Sequence, residues 1–429
     1  MTASPDFQAK SAWTMTLLLT GLALINFLDK IVLGLVAVPL TAELNLSPEK
    51  FGVVAGSFFW LFSLSTVLVG FLANRFQTRW LLLAMGLSWA ALQLPQAWAT
   101  SALGLLVCRV ILGAAEGPAF PVSVHALYKW FPDRKRNLPV AVINQGAAFG
   151  MLLAGLLIPL VTRQWGWRMN FLLLGAIGAA WSVLWACFGR EGTLGRLKAA
   201  PIVQIDAQRL PYRRILADRS VLSVFALGFT AYWTLGLSLT WIPMYFEKGL
   251  GFTGVEAGRC FAIVVATTTP VNVGLSWLSQ LMLGRGVSAR KARVHLICAS
   301  AVAGALTFIA LMLLPLQPLQ KVALLAIACA LPTLSFTLAP ALLAQMVPDS
   351  QRGSLVAIHT ALASLGAAFA PAVMGRIVQV HGGANSHAYE LGFAVSAALL
   401  IAAALAALRW LHPDRSHHTL DHLSTRAAA

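Results

Sequence analysis

The sequence predicts an all-α polytopic membrane protein of twelve transmembrane helices in two six-helix halves. Three observations predict it: a composition too apolar for a water-facing surface, apolar windows recurring from Trp13 to Leu411, and one long polar stretch after the sixth window. Hydrophobic residues make up 58% of the 429 positions and charged residues 11%, where soluble domains carry roughly 25% charged. Lipid offers no partners to exposed backbone groups, so a spanning segment must be a helix of about 20 largely apolar residues.

Taken in order, such windows fall at 13–38, 51–73, 79–98, 102–127, 138–162 and 169–189, then at 220–245, 257–283, 292–314, 320–346, 353–378 and 391–411. The first follows polar residues 1–12 and is too long for the apolar core of a signal peptide, so it is expected to remain as a helix. The second runs into a basic loop, GFLANRFQTR from Gly70, and a looser counterpart, GLSWLSQLMLGRG from Gly274, ends the eighth. The polar stretch Arg190 to Ser220 holds Gly192, Gly195, Pro201 and Pro211. The expected organisation is therefore a first half at 1–189, a cytoplasmic linker at 190–219, a second half at 220–411 and a cytoplasmic tail at 412–429. Paired six-helix repeats are a common plan of secondary transporters.

A net charge of +16 raises a nucleic-acid reading, which the placement of the charge excludes. Counted from a cytoplasmic N-terminus, the inside loops hold most of the Lys and Arg, including Lys10, Arg75, Arg79, Lys129, Arg134, Lys135, Arg136, Arg213, Arg214, Arg290, Lys291 and Arg293. The outside loops hold Lys50, Arg163, Arg168, Lys248, Arg259, Lys321 and Arg376. This bias places both termini in the cytoplasm of a multi-pass protein of the cell inner membrane, and the basic balance reflects topology and anionic lipid. Cys108, Cys187, Cys260, Cys298 and Cys329 all lie in predicted spans without paired spacing and read as packing residues, so no disulfide or metal is expected. No nucleotide loop or nucleophile elbow is found, which argues against an enzyme, and no cofactor is expected.

Charge inside the spans is the functional signal, since each buried charge costs about 2.5–3.5 kcal/mol on insertion scales. Helix 1 carries Asp29 and Lys30 in INFLDKIVL, and helix 4 carries Arg109 and Glu116 in CRVILGAAEGPAFP. The last two stand about two turns, roughly 10.5 Å, apart on one helix face. The bland alternative is an ion-pair cluster that locks helix 1 to helix 4. Apolar residues replace such clusters at little cost in stability, which favours a functional reading. In that reading Glu116 is the better proton carrier, with Gly113, Ala114, Ala115 and Gly117 leaving it room, and Asp29 is either a second titrating acid or the counter-ion of Arg109. Lys30 or Arg109 would hold an anion, Arg109 through two parallel hydrogen bonds and Lys30 as a point charge. The second half has no comparable mid-span charge, and His359 is its nearest ionisable group. His359 reads as packing or as a substrate contact, and Tyr232, Trp233 and Trp241 as packing, interface belt or the wall of a pocket.

These residues resemble the major facilitator superfamily, specifically its anion:cation symporter family, over nearly the whole chain. The most specific match is RVILGAAEGPAFP followed by KWFPDRKR, supported by LDK, QWGWRMNF and AYWTLGLSLTWIPMYFEKGLGFTGVEAG. The resemblance implies a major facilitator fold and proton-coupled uptake of an organic anion by alternating access. It implies protonation at Asp29 and Glu116 and anion recognition near Lys30 and Arg109. It also marks departures. In the gating loop after helix 2 (Gly70, Asn74, Arg75, Arg79), Asn74 and Gln77 stand where the family has an acid and a glycine, and Gln280 replaces the acid after helix 8. Helix ends with Arg75 and Arg79, rather than an ordinary ion pair, would then hold that gate. Phe62 stands for a usual tyrosine, Thr66 for a glutamine, and Thr360 and Ser364 for asparagines, while Lys135 replaces an acid. Losing hydrogen-bonding groups argues for a mono- or aromatic carboxylate with few hydroxyls, contacted by Lys30, Arg109, Phe62, Tyr232, Trp233, His359 and Thr360. Sugar-acid symport, export and a non-transporting receptor are the alternatives. The lipid bilayer, protons and the anion are the expected partners of a monomer.

Overall fold

The computed structural model describes residues 8–73, 75–132, 135–192, 194 and 210–413. Asn74, most of the linker and the tail from 414 onward lie outside the described residues. Eleven helices are long and apolar enough to cross a membrane. In order they are α1 (Ala9–Leu35), α2 (Pro48–Val69), α4 (Ala102–Tyr128), α5 (Asn137–Trp165), α6 (Trp167–Phe188), α7 (Arg219–Thr240), α8 (Gly254–Gly284), α9 (Arg290–Leu313), α10 (Pro318–Met346), α11 (Gln351–His381) and α12 (Ser386–Trp410). The twelfth, α3 (Thr78–Ala97), has 20 residues and carries Arg79, Gln93 and Gln96. Several helices run past the windows read from the sequence: α1 starts at Ala9 and α11 at Gln351. Backbone hydrogen bonding extends a helix into polar residues that a hydropathy window leaves out.

Prolines and turns interrupt the long helices where they must bend. In α4, Pro118 at the break after Gly117 supplies no N–H, so regular helix resumes at Ala119. Beyond Thr240, α7 continues through Ile242–Met244 into a π-helical turn, Tyr245–Gly249. In α10 the turn Leu331–Thr333 tightens around Pro332.

The chain divides into two compact units, residues 1–203 with 252–262, and residues 204–251 with 263–429. In the first unit α1 lies along α5 and α3 along α6. Small residues set these distances. A Cβ on Gly146 or Gly150 would stand 2.4 Å from the Thr20 or Leu24 carbonyl oxygen of α1, so the two backbones touch directly, as small residues four apart allow in membranes. Gly150→Leu is therefore expected to force α1 off α5, at about 1–3 kcal/mol or more. A melting temperature in detergent equal to wild type would contradict this packing. In the second unit α7 packs on α11 and α12, and α9 on α12. There a Cβ on Gly366 would meet the Phe229 carbonyl oxygen at 2.2 Å.

Candidate functional site

Within the first unit, α1 and α4 bring together the charges read from the sequence. Asp29, Arg109 and Glu116 are each 1% exposed and Lys30 is 8% exposed. The close approach of α4 to α2 builds this neighbourhood. A Cβ on Gly113 would stand 1.7 Å from the Phe58 carbonyl oxygen, and one on Gly117 2.2 Å from that of Phe62. The glycines beside Glu116 therefore do not leave it room, as their small size had implied. They are filled by the α2 backbone, which sets the rings of α2 against the cations. Arg109 lies over the Phe58 ring at 4.7 Å, and the Lys30 ammonium stands 4.4 Å from Phe27 and 5.2 Å from Phe62. Cation–π contacts hold a charge without neutralising it.

None of the four charges is paired within 4.0 Å among the described residues. Arg109 Nη1 donates instead to the Asp29 backbone carbonyl at 3.2 Å. Asn26 stands between the other two: its Nδ2 donates to Glu116 Oε2 at 2.8 Å, and its Oδ1 accepts from the Lys30 ammonium. The Gln93 side chain of α3 stands beside the Asp29 carboxyl. Asp29 Oδ1, Glu116 Oε1 and Arg109 Nε are buried with no hydrogen-bond partner among the described residues. Buried polar atoms are ordinarily satisfied, so these are the atoms able to take a proton or a ligand group. Asn26 and Gln93 were missed by the sequence reading. Asn26 carried a signal, standing one helical turn before Lys30 on the same face.

At the end of this unit carrying the α2–α3 and α4–α5 loops, an ion pair stands beside the start of α3. Glu191, just beyond α6, forms an ion pair with Lys129. It also accepts from the Thr78 hydroxyl at 3.0 Å and the Arg79 amide at 3.0 Å, closing the first turn of α3. Arg79 itself donates through Nη2 to the Ala186 carbonyl at 2.9 Å and lies over Trp80. Arg75 is exposed, and Gly70 follows Val69 in the helical run Phe62–Leu72. An acid 113 residues from Thr78 leaves no local pattern in the sequence. Burial pushes the Glu191 carboxyl up, but the Lys129 hydrogen bond, the Arg79 amide, the Lys129 charge and the Thr78 hydroxyl together bring it below the ordinary value of 4.5. A carboxyl held low when folded contributes stability that is whole above its unfolded value and is lost as pH falls through the folded one. Glu191→Gln is expected to lower the melting temperature at neutral pH and to narrow its gap to wild type below about pH 4. A constant gap across pH would contradict the assignment.

In the second unit the candidate residues take different directions. Trp233 donates through Nε1 to Ser396 Oγ of α12 at 3.1 Å, while Tyr232 meets Phe336 of α10 edge-on at 5.0 Å. His359 is buried against Phe225 and Gly228, and Thr360 donates to the Val356 carbonyl of its own helix at 3.0 Å. This unit also buries a group that span-end counting overlooked. Lys321 pairs with Glu390 at 2.6 Å, and the Tyr245 hydroxyl donates to the same carboxylate at 3.0 Å.

A sequence model of the Major Facilitator Superfamily matches residues 19–331 and 287–426. A probable chloroplastic anion transporter 4 of Oryza sativa subsp. japonica is 27% identical over 300 residues, covering 67% of this chain and 50% of that protein. The chain thus spans about half the length of that plant relative. The probable sulfoacetate transporter SauU of Cupriavidus necator is 26% identical over 321 residues, 71% of this chain and 73% of that one. Among solved structures, a bacterial homolog to the human lysosomal transporter Spinster, inward-facing and occupied, superposes with a TM-score of 0.76 at 19% identity. That likeness covers 97% of this chain and 99% of the other, and it is one of fold.

Proposed function

The chain belongs to the Major Facilitator Superfamily, and from that premise we propose that it takes up a small organic anion together with protons, by alternating access, across the cell inner membrane. Glu116 and Asp29 carry the protons, and Lys30 and Arg109 hold the anion. One observation carries the reading: two acids and two bases are buried together, none paired within 4.0 Å among the described residues. A structural lock would close such charges into short pairs, because unpaired buried charge is costly. With all four ionised the cluster is neutral. Each proton added leaves one positive charge uncompensated, which one negative charge of a substrate offsets, so a dianion calls for two protons. The anion is hydroxyl-poor. Around the cations stand the faces of Phe27, Phe58 and Phe62, and Ser65 and Thr66 donate their hydroxyls to the Phe62 carbonyl at 2.9 and 2.7 Å.

The test is uptake into proteoliposomes with an acidic exterior, using labelled sulfoacetate, an aromatic dicarboxylate and a hexuronate in parallel. The hydroxyl-poor acids are expected to accumulate, and a protonophore to abolish the accumulation. Preference for the hexuronate overturns the substrate class. Accumulation indifferent to the protonophore overturns proton coupling.

A further inference from the structure

Two hydrogen bonds single out a side chain that the proposed reaction has not used. Asn26 is 4% exposed and lies between the proton carrier and an anion-holding cation. Its Nδ2 donates to Glu116 Oε2 at 2.8 Å, while its Oδ1 accepts from the ammonium of Lys30. These partners settle which way the amide faces. Turned over, it would set NH2 against an ammonium and a carbonyl against a carboxylate.

We infer that Asn26 is a positioning residue that makes the freedom of Lys30 to hold the anion depend on the proton carried by Glu116. The inference rests on the roles proposed above for Glu116 and Lys30. With Glu116 ionised, both ends of the amide make charge-assisted bonds and the ammonium is kept at Asn26 Oδ1. When Glu116 takes a proton from hydronium on the aqueous side, one O–H bond of the hydronium breaks to leave water and one O–H bond forms on the carboxylate. The carboxylate that oriented the amide is now neutral, and its new hydroxyl competes with Lys30 for Asn26 Oδ1. Lys30 has no carboxylate within 4.0 Å among the described residues to replace that acceptor. An incoming anion supplies one. Linkage makes the effect reciprocal, so the bound anion strengthens the hold on the proton by the same factor.

The charged groups that bear on this amide are Asp29 and Lys30 of α1 and Arg109 and Glu116 of α4. The charges of α2, α3, α5 and α6 stand in their first or last turns, and His125 lies more than two turns beyond Glu116 on α4.

The experiment uses the full-length protein in liposomes with labelled sulfoacetate. Counterflow is measured at equal pH on both sides across a pH series, and accumulation under an inward proton gradient. In wild type, apparent affinity in counterflow is expected to strengthen as pH falls. Asn26→Leu is expected to flatten that profile and cut accumulation about tenfold, while counterflow at low pH falls less than about threefold. Asn26→Gln, which keeps both ends of the amide on a longer arm, recovers part of the pH dependence. A wild-type pH profile in Asn26→Leu overturns the inference. So does parallel loss of counterflow and accumulation in both variants, as a packing residue would give. Wild-type counterflow with no pH dependence sinks the proton reading itself, and the role of Asn26 falls with it.

Discussion

Glu116→Gln protein is expected to exchange labelled sulfoacetate for unlabelled across the membrane, yet to concentrate it about tenfold less than wild type under an inward proton gradient of one pH unit. A glutamine has the shape of the protonated acid, and its carbonyl still accepts from Asn26 Nδ2, the bond that Glu116 Oε2 makes at 2.8 Å. Position 116 is thereby held in the protonated form, which admits the anion but releases no proton of its own. With the membrane potential clamped at zero, each co-transported proton supports about a tenfold accumulation per unit of pH difference. With protons on both Glu116 and Asp29 the wild-type ratio should therefore reach about a hundredfold at one unit, and the variant's should fall to about tenfold. Asp29→Asn separates the two acids: a second proton site lowers the ratio, whereas a counter-ion of Arg109 alters affinity and leaves the ratio unchanged. A Glu116→Gln protein that concentrates sulfoacetate as wild type does removes Glu116 from the coupling.

Lys321→Met is the substitution expected to destabilise the protein most. It leaves the Glu390 carboxylate, 4% exposed, with the Tyr245 hydroxyl as its remaining bonded side chain among the described residues. Removing one partner of a buried pair costs about 3–5 kcal/mol, whereas removing both charges is often close to neutral. The double variant Lys321→Met with Glu390→Gln should therefore regain most of the loss, since the amide still accepts from Tyr245. Melting temperatures of the two variants in detergent decide it. A single variant as stable as wild type would mean that the pair is solvated, and a double variant no better than the single would mean that Lys321 acts through packing.

The fold was legible in advance because the bilayer turns composition into architecture. A long apolar window allows the helix as its solution, and the windows were found within a few residues of the helices α1 to α12. The α3 helix shows the limit of the rule, since Gln93 and Gln96 lower its apolarity while both are buried. The four charges were legible for a related reason: Asp29, Lys30, Arg109 and Glu116 are conspicuous where lipid penalises every charge. Uncharged or span-end partners were not. Asn26 is an ordinary polar residue until its hydrogen bonds are seen, and Glu191, Glu390 and Lys321 stand near helix ends, where charge is unremarkable.

By itself, then, the chain's order of apolar and charged residues determined the helices and named the charges they carry, because the solvation of each segment depends on that segment alone. The tertiary structure decided which atoms meet. Gly113 and Gly117 admit the α2 backbone instead of leaving space for Glu116, Asn26 bridges Lys30 and Glu116, and Trp233 turns to Ser396 while Tyr232 turns to Phe336. Such contacts depend on the rotation and depth of one helix against another. Those are set by close packing between residues far apart in the chain, which no window along the sequence contains.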